Sequence, residues 1–344
     1  MKNIILVVFL FVSCLSFGLN RNLKVVKAPV ENPTSERRKA AVIGMSDYGA
    51  GRSLDKTEDF YYKPRMDDEQ GRIVISDKPV EPVTPAVHPS EPIKTVTAAK
   101  RNGEVWNPDG FEMVFVEGGT FTMGCTLEQE DDCNRNEKPS HQVTVSDFYI
   151  GKYEVTQAQW KEVMGTTVRE QRDKENTELP IRGEGDNYPM YYVSWDEAQE
   201  FIRRLNVETG KQYRLPTEAE WEFAARGGSS SRGYKYSGGN TAGAVAWFSE
   251  NSNESSHPVG TKSSNELGIY DMSGNVWEWC SDWYGNYSSN AQTDPRGPSS
   301  GTERVVRGGS YVNFERIVLA SSRRRITPDV RGDALGFRLA CSSK

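Results

Sequence analysis

The chain has 344 residues, 36% of them hydrophobic, enough for one large packed domain or two modest ones. A net charge of −6 and a pI near 5.4 exclude nucleic acid as the main partner, because phosphate contacts need a basic field. The 31 glycines and eight tryptophans exclude long helical repeats and indicate a loop-rich fold with aromatic anchors.

The first segment, MKNIILVVFLFVSCLSFGLN, has Lys2 followed by an unbroken apolar run from Ile4 to Val12. That run is too short to span a bilayer. Ser16 and Gly18 stand at −3 and −1 of a cut before Leu19, so residues 1–18 read as a secretory signal peptide. Lipid modification of Cys14 is the alternative, but Phe11-Val12-Ser13 fits a lipoprotein signal poorly. No later segment is apolar enough for a transmembrane span, which implies a secreted or cell-envelope protein. Residues 19–105 carry many charges and few aromatics, and PVEPVTPAVHPSEP (79–92) favours extended polyproline II. This part reads as a stalk or linker, with short strands expected at 40–44 and 71–77.

From Trp106 the texture changes. MVFVEGGTFTMG (113–124) predicts two strands joined as a hairpin at Gly118-Gly119. Val143, Val145, Phe148, Ile150, Tyr153 and Val155 mark further strands. Three helices are announced by a capping box at one end and glycine at the other. They open at Thr156/Gln159, Ser194/Glu197 and Thr217/Glu220, and close at Gly165, Gly210 and Gly227-Gly228. Ala198, Phe201, Ile202 and Leu205 share one face of the second. The terminal ALGFRLAC (334–341) alternates as a half-buried strand does. Without Cys14, four cysteines remain. A local Cys125–Cys133 bridge leaves Cys280 to pair with Cys341, or all four remain thiols.

MVFVEGGTFTMG, EVTQAQW, YRLPTEAEWEFAARGG, LGIYDMSGNVWEWCSDW, RVVRGGSY and LGFRLAC occur in this order. Residues 106–344 therefore resemble the sulfatase-modifying factor, or formylglycine-generating enzyme, family. The resemblance implies an α+β, loop-rich variant of the C-type lectin fold. The generating enzymes hold copper with two cysteines shortly after RGGS-aromatic. Here those positions fall at Asn313 and near Ile317 or Val318, so no copper is expected and copper-dependent cysteine oxidation should be absent. Ser310 and Trp277 match wall positions of that pocket. The three histidines, His88, His141 and His257, lie far apart in sequence and offer no iron site.

The resemblance also implies a structural calcium held by Asp271, Glu278 and the main-chain oxygens of Gly274 and Val276, since hard oxygen donors in an irregular loop suit that ion. Without the ion, Asp271 and Glu278 would bond loop amides.

Segment 304–338 holds eight arginines and no lysine against Glu315, Asp329 and Asp333. Arginine with aromatic and aliphatic neighbours is the chemistry of recognition. Tyr311, Val312, Asn313, Phe314, Ile317, Arg324, Arg325, Ile326, Val330, Arg331 and Asp333 are the candidate ligand-binding residues, for a protein or glycan partner at the cell exterior. Arg307, Arg316, Arg323 and Arg338 match usual family positions and are expected in internal salt bridges. Many departures from the family's wording fall where asparagine is usual: Val312, Phe314, Ile317, Arg324, Arg325, Ile326, Val330, Gly332, Asp333 and Ala334. Each is reachable by changing only the adenines of an asparagine codon, the pattern of a diversity-generating retroelement. Glu315, Val318 and Leu319 do not follow that rule simply. Arg331-Gly332-Asp333 spells an adhesion tripeptide, a match too short to carry weight. A divergent oxidoreductase of the family and a part of a bacterial envelope or secretion machine are the alternative readings.

Overall fold

A computed structural model describes residues 100–343 except 108, 130–131 and 176–178, plus two short strands before them. The chain divides into two units, Met1–Pro92 and Ile93–Lys344. In the first, β1 (Arg65–Met66) pairs antiparallel with β2 (Ile73–Val74). The leader, the strand expected at 40–44 and the proline-rich run lie outside the described residues.

In the second unit, chain order gives β3 (Val105–Trp106), β4 (Met113–Val116), β5 (Gly119–Met123), β6 (His141–Val145) and β7 (Phe148–Gly151). Helices α1 (Gln157–Met164), α2 (Val168–Asp173) and α3 (Trp195–Thr209) follow, then β8 (Tyr213–Arg214), α4 (Glu218–Ala225) and α5 (Ala242–Val245). The remainder is β9 (Trp277–Trp283), β10 (Gln292–Thr293), β11 (Arg304–Arg307), β12 (Arg323–Ile326), β13 (Leu335–Gly336) and β14 (Ala340–Ser342). Three sheets result, with strand orders β3-β4-β7-β14-β8, β10-β6-β5 and β12-β11-β9-β13.

The capping residues set the helices as their chemistry requires. Thr156, Ser194 and Thr217 each accept from the backbone N–H three residues on, and each box is reciprocal. Gly165 and Gly210 close α1 and α3 in the left-handed region. Ala198, Phe201, Ile202 and Leu205 are buried, against a core containing Trp160, Tyr213 and Phe337. Helix α2 was not anticipated, although Thr167 and Glu170 carry the same box.

Three expectations are corrected. The hairpin at Gly118-Gly119 does not form: β4 pairs with β7, and β5 pairs with β6 in another sheet. A Cβ on Gly118 would stand 2.5 Å from the Val145 carbonyl oxygen, so glycine lets the chain cross between sheets beside the β6–β7 turn. The terminal strand is split between β13 and β14 and buried throughout 334–341, Arg338 included. Cys125 and Cys133 are bridged, but Cys280 and Cys341 are free, buried thiols. Cys280 packs in the core with Val305 and Trp221, whereas Cys341 lies opposite Tyr149 and Tyr213 in a different sheet.

Candidate functional site

After β11 the chain must reverse sharply. Gly308 and Gly309 take φ of 94° and 73°. A Cβ on Gly309 would fall 2.7 Å from Val318 Cγ1, so side-chain-free backbone is required where the returning loop closes down. Ser310 and Asn313 then lock the turn: Asn313 Oδ1 accepts from Ser310 N at 3.0 Å and Oγ at 2.8 Å. Where the resemblance places the copper cysteines, the structure therefore has an amide engaged in turn formation and, at Val318, a fully buried valine. Val318 and Leu319 pack with Tyr236, Val245, Ala246 and Phe248.

The loop returns through a buried stretch, 318–323, that leads into β12. Arg307 holds it from within, donating to the carbonyls of Ser321 and Ser322 and to Glu222 of α4. Arg323 meets Glu218 in a two-point pair, 2.7 Å on each arm. Arg338 grips Glu278 at 2.6 Å on both oxygens. These three guanidiniums are buried, and burial costs are offset only because each meets a carboxylate. The expectation of internal pairing holds for them. Arg316, expected to join them, is instead exposed.

The candidate ligand residues divide by exposure. Val312, Phe314, Arg324, Arg325 and Val330 are exposed, and Phe314 is 67% accessible. Asn313, Ile317, Ile326, Arg331 and Asp333 are half-buried. Tyr311 is not at the surface at all: it is 1% exposed, and its hydroxyl donates to the Asp333 carbonyl at 3.3 Å. Burial, then the nearby Asp333, pushes its phenol well above the usual range. Arg331 is committed to Glu197 and Glu175, 2.8 Å each, so the arginine of the adhesion-like tripeptide is an intramolecular anchor. Arg325 meets Glu303 at 3.3 Å. Among the described residues, Arg316 and Arg324 have no ion pair. The Arg324 guanidinium lies over Trp277, 5.5 Å from the ring centre.

The calcium positions lie in and beside the start of β9. Asp271 adopts a left-handed backbone, φ 58°, and its Oδ2 accepts from Gly260 N at 2.7 Å. Its Oδ1 is buried without a partner. Burial pushes the Asp271 carboxyl up to about 6. Gly274 is pressed against Trp247: a Cβ there would meet its carbonyl at 2.2 Å. Val276 N donates to Glu154, a buried carboxyl raised by burial and by the charges of Asp271 and Glu278. Glu278 spends both oxygens on Arg338, and one also accepts from Trp221 Nε1 at 2.7 Å. The fit to calcium is thus divided: Asp271 offers a free hard oxygen, while Glu278 as placed is a counter-ion. Among the described residues, no group of three or more His, Cys, Asp or Glu forms a metal cluster.

His141 is buried on β6, with Nδ1 3.2 Å from the Pro139 carbonyl. His257 stacks on Trp247 at 3.6 Å. A cavity of about 570 Å³ is lined by His141, Glu218, Asp282, Tyr287, Arg296 and Arg323. A broader groove of about 970 Å³ runs beside the Cys125–Cys133 loop. Neither is lined by Val312, Phe314 or Arg324.

A family model of the sulfatase-modifying factor enzyme 1-like domain matches residues 100–343, the whole arrangement just described. The chain belongs to that family. It is 32% identical over 281 residues to a Paenibacillus barcinonensis protein named chaperone protein LppX, covering 67% of this chain and 89% of the relative. It is 31% identical over 285 residues to the formylglycine-generating enzyme of Mus musculus, covering 67% and 74%. Among solved structures it resembles Treponema denticola variable protein 1, with TM-score 0.58 and 29% identity over 70% of this chain and 98% of that one. The sulfatase-modifying factor fold, mixed α and β with few helices and short strands, is the one this chain adopts.

Proposed function

We propose that this chain is an exported, non-catalytic member of the sulfatase-modifying factor family that binds a protein or glycan through its C-terminal arginine and aromatic surface. The observation that carries the reading is the exposure of Phe314, beside Val312 and the unpaired Arg316, on a loop whose base is rigidly buried. Exposed aromatic and aliphatic side chains beside arginine are the residue types that binding hot spots use. Export is supported by the leader and by the Cys125–Cys133 bridge, which belongs to an oxidising compartment. Among the described residues, no helix is long and apolar enough to cross a membrane.

Retroelement diversification is part of the same reading. Of the positions reachable from asparagine codons, Val312, Phe314, Arg324, Arg325 and Val330 are exposed. Ile317, Ile326, Gly332 and Asp333 are half-buried, and Ala334 is buried. Val318 and Leu319, which depart from the rule, are core residues whose variation would cost packing. The likeness to a protein named variable agrees with this. A near-copy of the segment rich in asparagine codons should lie near a reverse-transcriptase gene.

The binding test is a glycan array plus pull-down of surface proteins with the full chain. Binding lost in Phe314→Ala and Arg324→Ala supports the reading. Bound copper with conversion of a sulfatase-type cysteine peptide to an aldehyde would install the oxidoreductase reading instead. Stable co-purification with an envelope assembly independent of these side chains would favour a structural part.

A structural calcium held by Asp271 and the Gly274 and Val276 carbonyls belongs to the proposal, on the strength of the buried, unpartnered Asp271 Oδ1. Metal analysis of the purified chain is expected to find calcium, and chelation to lower Tm in the natural chain but not in Asp271→Asn. A metal-free chain with unchanged Tm on adding calcium would remove this part.

A further inference from the structure

The charge left unpaired at the surface says what the ligand looks like. Arg307, Arg323 and Arg338 are neutralised inside the fold, Arg331 by Glu197 and Glu175, and Arg325 by Glu303. Arg304 is sandwiched between Trp195 and Trp283, with ring centres 3.7 and 3.4 Å from the guanidinium carbon. That leaves Arg316 and Arg324 as the exposed arginines of the segment with no ion pair among the described residues. The acids nearest in sequence do not compensate them: Glu315 accepts from Tyr236 at 2.8 Å, and Glu303 is taken by Arg325. Asp329 is exposed and Asp333 half-buried, and neither forms an ion pair among the described residues.

The apolar partners sit in the same segment. Ile317 and Ile326 pack on the core cluster that contains Trp277, over whose ring Arg324 lies. A cation–π contact draws a guanidinium toward the ring while leaving N–H groups to donate, so part of the ordering cost of binding is already met. Phe314 projects one residue before Glu315 and two before Arg316. Exposed N–H donors carried on the same segment as exposed aliphatic and aromatic side chains suit a carboxylate-bearing chain with apolar side chains. A sugar presents hydroxyls and no hydrophobic side chain to match Val312, Phe314 and Ile317.

We propose that the ligand is an acidic protein segment, its Asp or Glu carboxylates on Arg316 and Arg324 and an apolar side chain on Phe314. This deepens the binding reading above and rests on it. The probes are short synthetic peptides graded in Asp and Glu content, each with and without one Phe or Leu, together with heparin and vesicles containing anionic lipid. The full chain is expected to bind the acidic, apolar-containing peptides, with affinity falling as salt rises. Arg316→Glu and Arg324→Glu should each weaken that binding about tenfold or more while leaving the chain folded, because neither side chain has an ion pair among the described residues and Arg324→Glu gives up only its contact with Trp277. If Phe314→Ala weakens peptide binding but peptide charge has no influence, the surface is right and the acidic ligand is wrong. Binding of heparin or vesicles in place of peptides overturns the protein ligand. Indifference to Phe314, Arg316 and Arg324 alike overturns both readings.

Discussion

One segment carries two populations of the same side chain. Arg307, Arg323 and Arg338 lie inside the domain, each on a carboxylate, and tie strands to helix α4 and to one another. Arg316 and Arg324, from the same stretch, are exposed and form no ion pair among the described residues. The difference lies in what surrounds each guanidinium. A buried one must be matched by an acid or the fold fails, whereas an exposed one costs the fold nothing and is free to serve another molecule.

The most severe way to break that contrast is Arg338→Ala. It leaves Glu278 buried and unpaired beside Asp271 and Glu154, and a loss of about 3–5 kcal/mol is expected in urea unfolding. A small loss would mean that the inner arginines are not structural. Next comes Asp282, whose carboxyl burial, then the Glu218 charge, pushes up to about 7. Its folded value lies above its unfolded one, so the native state prefers the proton. The contribution of this group therefore falls as pH rises from about 4 to about 7. Asp282→Asn should match the natural chain at the lower pH and exceed it in Tm at pH 8; equal Tm at both would refute the assignment.

Arg331→Ala should cost about 1 kcal/mol, because the pairs it breaks are partly solvated. Burial alone would raise the Glu197 carboxyl, yet hydrogen bonds from Arg331 and Lys174 bring it down to about 2. That stabilisation is present above about pH 4.5 and is lost as pH falls through 2. Removing the arginine should flatten the acid limb of an unfolding profile. The smallest effects belong to Arg316→Ala and Arg324→Ala, within about 0.5 kcal/mol of the natural chain. A larger loss at either would show that it is structural after all.

Much of the scaffold was legible because local chemistry dictated it. Thr156, Ser194 and Thr217 set the start of a helix by hydrogen bonds made within four residues, and Gly165 and Gly210 end one by backbone geometry. The same box at Thr167 is a weaker sign, because only a turn or two of helix follows it. Long-range partners were not legible: nothing near Gly118 says that β5 leaves the sheet of β4, and Cys280 carries no mark of which wall it faces. In the candidate site, the exposed Phe314 and the inner roles of Arg307 and Arg323 followed from the residues and the resemblance. The burial of Tyr311, the exposure of Arg316 and the commitment of Glu278 to Arg338 depend on packing from distant segments.

The Arg307 guanidinium donates to the Ser321 and Ser322 carbonyls as well as to Glu222, so the return path of the loop is fastened by its backbone. Main-chain oxygens are the same whatever side chains stand beside them. Neighbouring outward positions can therefore be rewritten over generations without reshaping the platform that presents them.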